Sequence, residues 1–129
     1  MIRARRIVLL VSLLTAPLAA SANPISGTWR STGPGASVEI TLSPDGAYER
    51  RDSGTDGAAM TVSGRWNLAP PDNRLRVTVE DWTPRRACGL FGCVEIRIPT
   101  AETYRVMQHD EERLILEDHG ARVEFRRAG

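Results

Sequence analysis

Two cysteines, Cys88 and Cys93, bracket the stretch CGLFGC, and two histidines, His109 and His119, follow further along the chain. These residue types can do redox chemistry, bind zinc, or form a structural bridge. A thioredoxin-type couple separates its cysteines by two residues at the start of a helix, where the dipole lowers a thiol pKa. Here four residues intervene, and no helical pattern follows. A closed zinc site needs four ligands, and no second Cys-x-x-Cys or His-x-x-His spacing joins the cysteines to the histidines. A disulfide is the remaining chemistry. Two cysteines five positions apart can face each other across a tight turn, and an oxidising compartment would keep them joined. A loop this short yields roughly 2 kcal/mol in the chain-entropy account. The Cys88–Cys93 bond is therefore expected to stiffen a local loop rather than to hold the fold.

Carboxylates cluster in DEE (110–112) and ED (117–118), both at turn signals. A catalytic acid pair needs burial or a neighbouring charge to separate its two pKa values, and solvated turns offer neither. His109 and His119 also lie in or beside turns. No serine sits in a nucleophile motif, and no glycine-rich phosphate loop joins a strand to a helix. The expectation is a protein without catalytic residues, metal or cofactor.

The elements that would position any such groups begin after a leader. MIRARR supplies Arg3, Arg5 and Arg6, IVLLVSLLTAPLAA is a short apolar run, and Ala20 and Ala22 flank Ser21 in the A-x-A pattern. This order reads as a Sec-type signal peptide over residues 1–22, cut near Ala22, with a domain over 23–129. The run falls short of the roughly 20 apolar residues a membrane-spanning helix needs, so no stable membrane anchor is expected after its removal. The destination is periplasmic or secreted. Residues 1–22 hold three arginines and no acid, so the chain's 17 basic and 16 acidic residues become 14 and 16 in the exported domain. Every basic residue is arginine, and the arginines alternate with acids, as in EERLILED. A mixed, near-neutral surface of this kind argues against nucleic acid as a partner.

Within the domain, apolar and polar residues alternate with period two. SVEITL places Val38, Ile40 and Leu42 on one face, MTVSGRWNL places Met60, Val62, Gly64, Trp66 and Leu68, and RLRVTVEDW places Leu75, Val77 and Val79. The stretch AYERRD has a poor pattern. Turn signals such as SPDG and DHG separate the segments at intervals of about ten residues, the mark of an all-β barrel or sandwich. The spacing predicts strands at 27–31, 37–42, 47–52, 59–68, 74–82, 103–109, 113–117 and 121–127, with 94–98 either a further barrel strand or part of a long loop. Short connections favour an up-and-down antiparallel barrel of about eight strands, whose closure removes exposed edges; an open sandwich is the alternative.

The opening ISGTWRS, with Gly27 and Trp29, resembles the G-x-W start of the lipocalin and calycin barrels, and VEFRR supplies Arg126 and Arg127 at the matching end of the chain. The resemblance implies that Trp29 closes one end of the barrel and that an arginine from the last strand packs across it. It also implies kinship with small exported lipocalin-like domains of bacteria. The chain is much shorter than true lipocalins. One group of similar build, the periplasmic inhibitors of secreted metalloproteases, combines a small barrel with a single disulfide and acts through an N-terminal arm. Only Asn23, Pro24 and Ile25 precede the first strand here, too few for such an arm.

Two binding roles fit this chain. In one, the barrel mouth admits a small apolar ligand against Val62, Trp66, Leu75, Val77 and Val79. In the other, the 83–93 loop docks an envelope protein through Arg85, Arg86, Leu90 and Phe91, a protease-inhibitor-like barrel being one form of this role. Leu90 and Phe91 are expected to fold back and plug one end of the barrel, because an exposed phenylalanine is a solubility liability.

Overall fold

The computed structural model describes residues 24–55, 57–69 and 73–128, so the proposed signal peptide over 1–22 lies outside the described residues. Ten strands follow the turn signals: β1 (Gly27–Gly33), β2 (Ala36–Leu42), β3 (Ala47–Gly54), β4 (Ala59–Ala69), β5 (Arg74–Thr83), β6 (Arg86–Gly89), β7 (Gly92–Glu95), β8 (Ala101–His109), β9 (Arg113–Asp118) and β10 (Ala121–Arg127). Eight of them close an antiparallel barrel in the order β1-β10-β9-β8-β5-β4-β3-β2, and β6 and β7 form a separate two-stranded hairpin. Barrel strands joined by short connections pair as predicted, and β5 pairs with β8 across the segment that carries the hairpin. The stretch 94–98 is not a barrel strand: Val94 and Glu95 belong to the hairpin, and residues 96–98 form no ladder.

Period two sets which residues enter the barrel. Trp29, Ile40, Leu42, Val62, Trp66, Leu75, Val77, Val79, Val106, Leu114, Leu116 and Phe125 are buried in one core. Between β4 and β5 the register slips at Ser63/Gly64, where Asp81 faces Ser63 but Val79 faces Gly64, leaving Glu80 as an extra residue. A Cβ on Gly64 would collide with the Thr78 carbonyl oxygen, so only glycine lets the two backbones approach at this bulge.

The direction of the strands sorts the connections into two ends. The start of β1, the 43–46 turn and the 109–113 turn gather at one end, which two indoles close. Trp29 donates from Nε1 to the Ile25 carbonyl at 2.9 Å, and Trp66 donates to the Ser43 carbonyl at 2.9 Å. Buried indole N–H groups are thus satisfied where the rings fill space. The turns at 33–36, 54–59 and 118–121 and the long 83–101 connection emerge at the opposite end. Closure itself is brief: β1 and β10 pair only at Trp29↔Arg127 and Arg30↔Arg126, whereas β2 pairs with β1 at seven positions.

Candidate functional site

The barrel-end residues behave as the resemblance implies, with one sorting. The Arg127 guanidinium carbon lies 4.2 Å over the Trp29 ring, and Nη1 donates to the Ser26 carbonyl at 3.1 Å. Nε of Arg127 also donates to the Glu111 carbonyl, which ties the 109–113 turn to the same latch. Gly27 adopts φ +131°, and a Cβ there would meet the Arg127 guanidinium. Arg126 points the other way, exposed, with Glu124 at 3.5 Å. Strand parity explains the split, because Phe125 and Arg127 share the inward face.

At the other end the barrel holds a cavity of about 310 Å³. Its apolar wall comes from Val38 and Ile40 of β2, Leu75 of β5, Leu116 of β9, and Val123 and Phe125 of β10. Of the five residues that sequence reasoning singled out for a ligand, Leu75 lines this space. Val62, Trp66, Val77 and Val79 are packed into the core.

The rest of the wall is polar, and it comes chiefly from β3. The inward face of that strand is Tyr48, Arg50 and Asp52, so the poor pattern of AYERRD is a good period-two pattern of polar residues turned into a barrel. Arg50 Nη1 approaches Glu102 Oε2 of β8 at 3.6 Å, and Arg50 Nε approaches Asp52 Oδ1 at 3.2 Å. The Arg50 and Glu102 side chains are 18% and 17% exposed. Tyr104 donates its hydroxyl to Glu102. The Arg50–Asp52 contact is an ion pair without hydrogen-bond alignment: Arg50 Nε and Asp52 Oδ1 are both buried atoms that lack a hydrogen-bond partner. Burial opposes the charge on Arg50, but Asp52, Tyr48 and Glu102 outweigh it and hold the guanidinium above its ordinary value. Burial pushes the Tyr48 hydroxyl up to about 12. Burial, followed by the hydrogen bond to Glu102, pushes the Tyr104 hydroxyl up as well. Both phenols therefore stay protonated and act as donors near neutral pH. Asp118 completes the wall at the rim, 3.4 Å from the exposed His119.

The cysteines are joined, Cys88 to Cys93, as register partners of the β6–β7 hairpin. Gly89 and Gly92 form the next pair, and Leu90-Phe91 is a two-residue turn with Gly92 at φ +111°. The expectation that Leu90 and Phe91 plug the barrel is overturned: they are 99% and 104% exposed, and every residue from 86 to 95 faces solvent. A two-residue turn stacked on a disulfide is too tight to fold back, and both side chains stay in solvent. The base of the arm is anchored. Trp82 Nε1 donates to the Ile96 carbonyl at 2.9 Å, and the Ile96 amide donates to the Arg85 carbonyl at 2.8 Å. Arg85 stacks 3.7 Å from the Trp82 ring centre and pairs with Asp81 at 2.6 Å. Arg85 thus braces the arm, while Arg86 faces Glu95 across the hairpin.

The residues considered for catalysis do not converge. His109 lies at the β8–β9 end and His119 in the β9–β10 turn, at opposite ends of the barrel. Among the described residues no group of three or more histidine, cysteine or carboxylate side chains is placed to hold a metal ion.

No protein family matches this chain, and no curated protein does. Among solved structures, a lipocalin-like protein from Bacteroides uniformis superposes with a TM-score of 0.55 at 18% identity, over 82% of this chain and 100% of that one. Another lipocalin-like protein, from Bacteroides thetaiotaomicron, reaches a TM-score of 0.48 at 17% identity, over 81% of this chain and 97% of its own. The first of these carries the comparison, and at such identity it concerns the course of the backbone. With eight antiparallel strands in sequence order, an indole-closed end and an arginine latched over it, the chain has the lipocalin-like β-barrel fold.

Proposed function

We propose that this chain is an exported, non-catalytic binding protein whose barrel holds a small ligand with an apolar body. One observation supports this reading above the others: a cavity of about 310 Å³ with apolar side chains from four strands on its wall. Ligand pockets run from roughly 300 to 1,000 Å³, so the occupant is small. Eight-stranded barrels either fill their interior with side chains or keep room for one small ligand, and the polar inward face of β3 favours the second outcome. The disulfide supports passage into an oxidising compartment, in line with Sec export and cleavage near Ala22.

Thermal unfolding of the exported domain with a homologous series of linear alcohols tests the reading. Stabilisation that grows with chain length and then breaks off is the expected result, and Val123→Trp, which fills the cavity, abolishes it. A flat response across the series refutes a ligand cavity.

The arm favours a second role in the same molecule, a contact with an envelope protein. Leu90, Phe91 and the 71%-exposed Val94 form an apolar tip already ordered by the disulfide, so little ordering cost remains on binding. Capture from an envelope extract with wild-type protein and with Leu90→Ser/Phe91→Ser tests this contact. Identical captured proteins would remove the arm from it.

A further inference from the structure

Charge on the cavity wall is unbalanced. Asp52 and Asp118 line it against a single guanidinium, Arg50, and that guanidinium is already held between Asp52 at 3.2 Å and Glu102 at 3.6 Å. The two tyrosines stay neutral, Glu102 already accepts from Tyr104, and His119 beside Asp118 is 97% exposed. Arginines on the outer faces of β1 and β10 are engaged as well, Arg30 with Glu39 at 2.6 Å and Arg126 with Glu124 at 3.5 Å. A ligand carboxylate entering here would lose water beside three carboxylates and would find no free cation among the described residues of the wall. A ligand cation meets the opposite situation. Asp52 Oδ1 is a buried acceptor without a hydrogen-bond partner, and Asp118 offers a carboxylate at the rim. A charge-assisted bond from an N⁺–H donor is the strongest interaction such an acceptor can gain.

We infer that the cavity takes an amphiphile with a cationic head, an alkylammonium, with the head at Asp52 and Asp118 and the tail against Ile40, Leu75, Leu116 and Phe125. This inference rests on the ligand-carrier reading and names the chemistry of its ligand. Arg50 then has a positioning role. It sits between Asp52 and Glu102, pairing with both, and does not itself receive the ligand.

Three probes of one chain length test the inference: octylammonium, 1-octanol and octanoate, titrated calorimetrically into the exported domain at pH 8. The expected order of affinity is octylammonium, then octanol, then octanoate, with about tenfold between the first and the last. Asp118→Asn, a half-exposed change at the rim, narrows that gap, and Asp52→Asn/Asp118→Asn closes it. Octanol binding with octanoate equal to or tighter than octylammonium overturns the inference while leaving the ligand carrier standing, because Arg50 would then be the anchor. An order that survives the double substitution overturns the assignment of the two aspartates. Failure of all three probes to bind overturns the carrier reading and this inference with it.

Discussion

Replacing Arg50 by methionine keeps the side chain's length and removes the only cation among Asp52, Glu102 and Asp118 on the inner surface. Breaking a fully buried ion pair from one side costs roughly 3–5 kcal/mol, because a buried charge is left uncompensated. Here the partners are not fully covered: Glu102 is 17% exposed and Asp52 36%. Water at the rim screens part of the loss, so the expected cost is about 2 kcal/mol. For a domain of this size that lowers Tm by about 10 °C. Urea unfolding followed by the fluorescence of Trp29, Trp66 and Trp82 measures it, since all three indoles sit in or against the barrel. The decisive comparison is a double-mutant cycle with Glu102→Gln. Once Arg50 is gone, neutralising Glu102 should recover about 1 kcal/mol, whereas alone it should be mildly destabilising. An Arg50→Met protein within 0.5 kcal/mol of wild type, or strictly additive single changes, would refute the account of β3 as a charged inner face.

Gly64→Ala should cost about 2–3 kcal/mol in the same assay, because the new Cβ meets the Thr78 carbonyl oxygen and lies 3.0 Å from Val79 Cα, both backbone groups that cannot step aside. Arg127→Ala should destabilise by about 2 kcal/mol through the loss of the indole stack and two charge-assisted bonds, while Arg126→Ala should stay within 0.5 kcal/mol; equal effects would remove the latch. Tyr48 ionises near 10 when unfolded and near 12 in the barrel, so its contribution is complete below pH 10 and is lost as pH climbs from 10 towards 12. Over that window the unfolded chain has released a proton that the native state still holds, and stability should fall by up to about 1.4 kcal/mol per pH unit. Denaturant titrations across that range should show a shallower decline for Tyr48→Phe, and parallel curves would contradict the burial of the phenol.

The sequence revealed strands best where their inner face was apolar. Val62, Trp66, Leu75, Val77 and Val79 stood out as alternating residues, and four of the five proved to be packed core, because the strongest alternation marks the part of a barrel that is already full. The cavity lies instead against β3, whose inward Tyr48, Arg50 and Asp52 read as an absence of pattern on a hydrophobic scale. Parity was the available signal: three residues of uniform spacing, Tyr-x-Arg-x-Asp, opposite an apolar β2. Parity also separates Arg127 from Arg126, since Phe125 fixes the inward face two residues earlier. The stretch 94–98 only begins in a strand, the second strand of a hairpin that leaves the barrel, and five residues cannot reveal whether a strand's partner is local or distant. Nor could composition show that Leu90 and Phe91 point outward. That direction follows from the pairing of Cys88 with Cys93 and Gly89 with Gly92, which leaves a turn too tight to fold back.

The short ladder between the first and last strands gives this cylinder a seam. Beyond Arg30 and Arg126 the two strands no longer pair, and Val123 and Phe125, on the last strand, are also wall residues of the cavity. An opening in that unpaired stretch would reach the cavity sideways, without lifting any turn at the rim and without breaking the rungs that hold the indole floor.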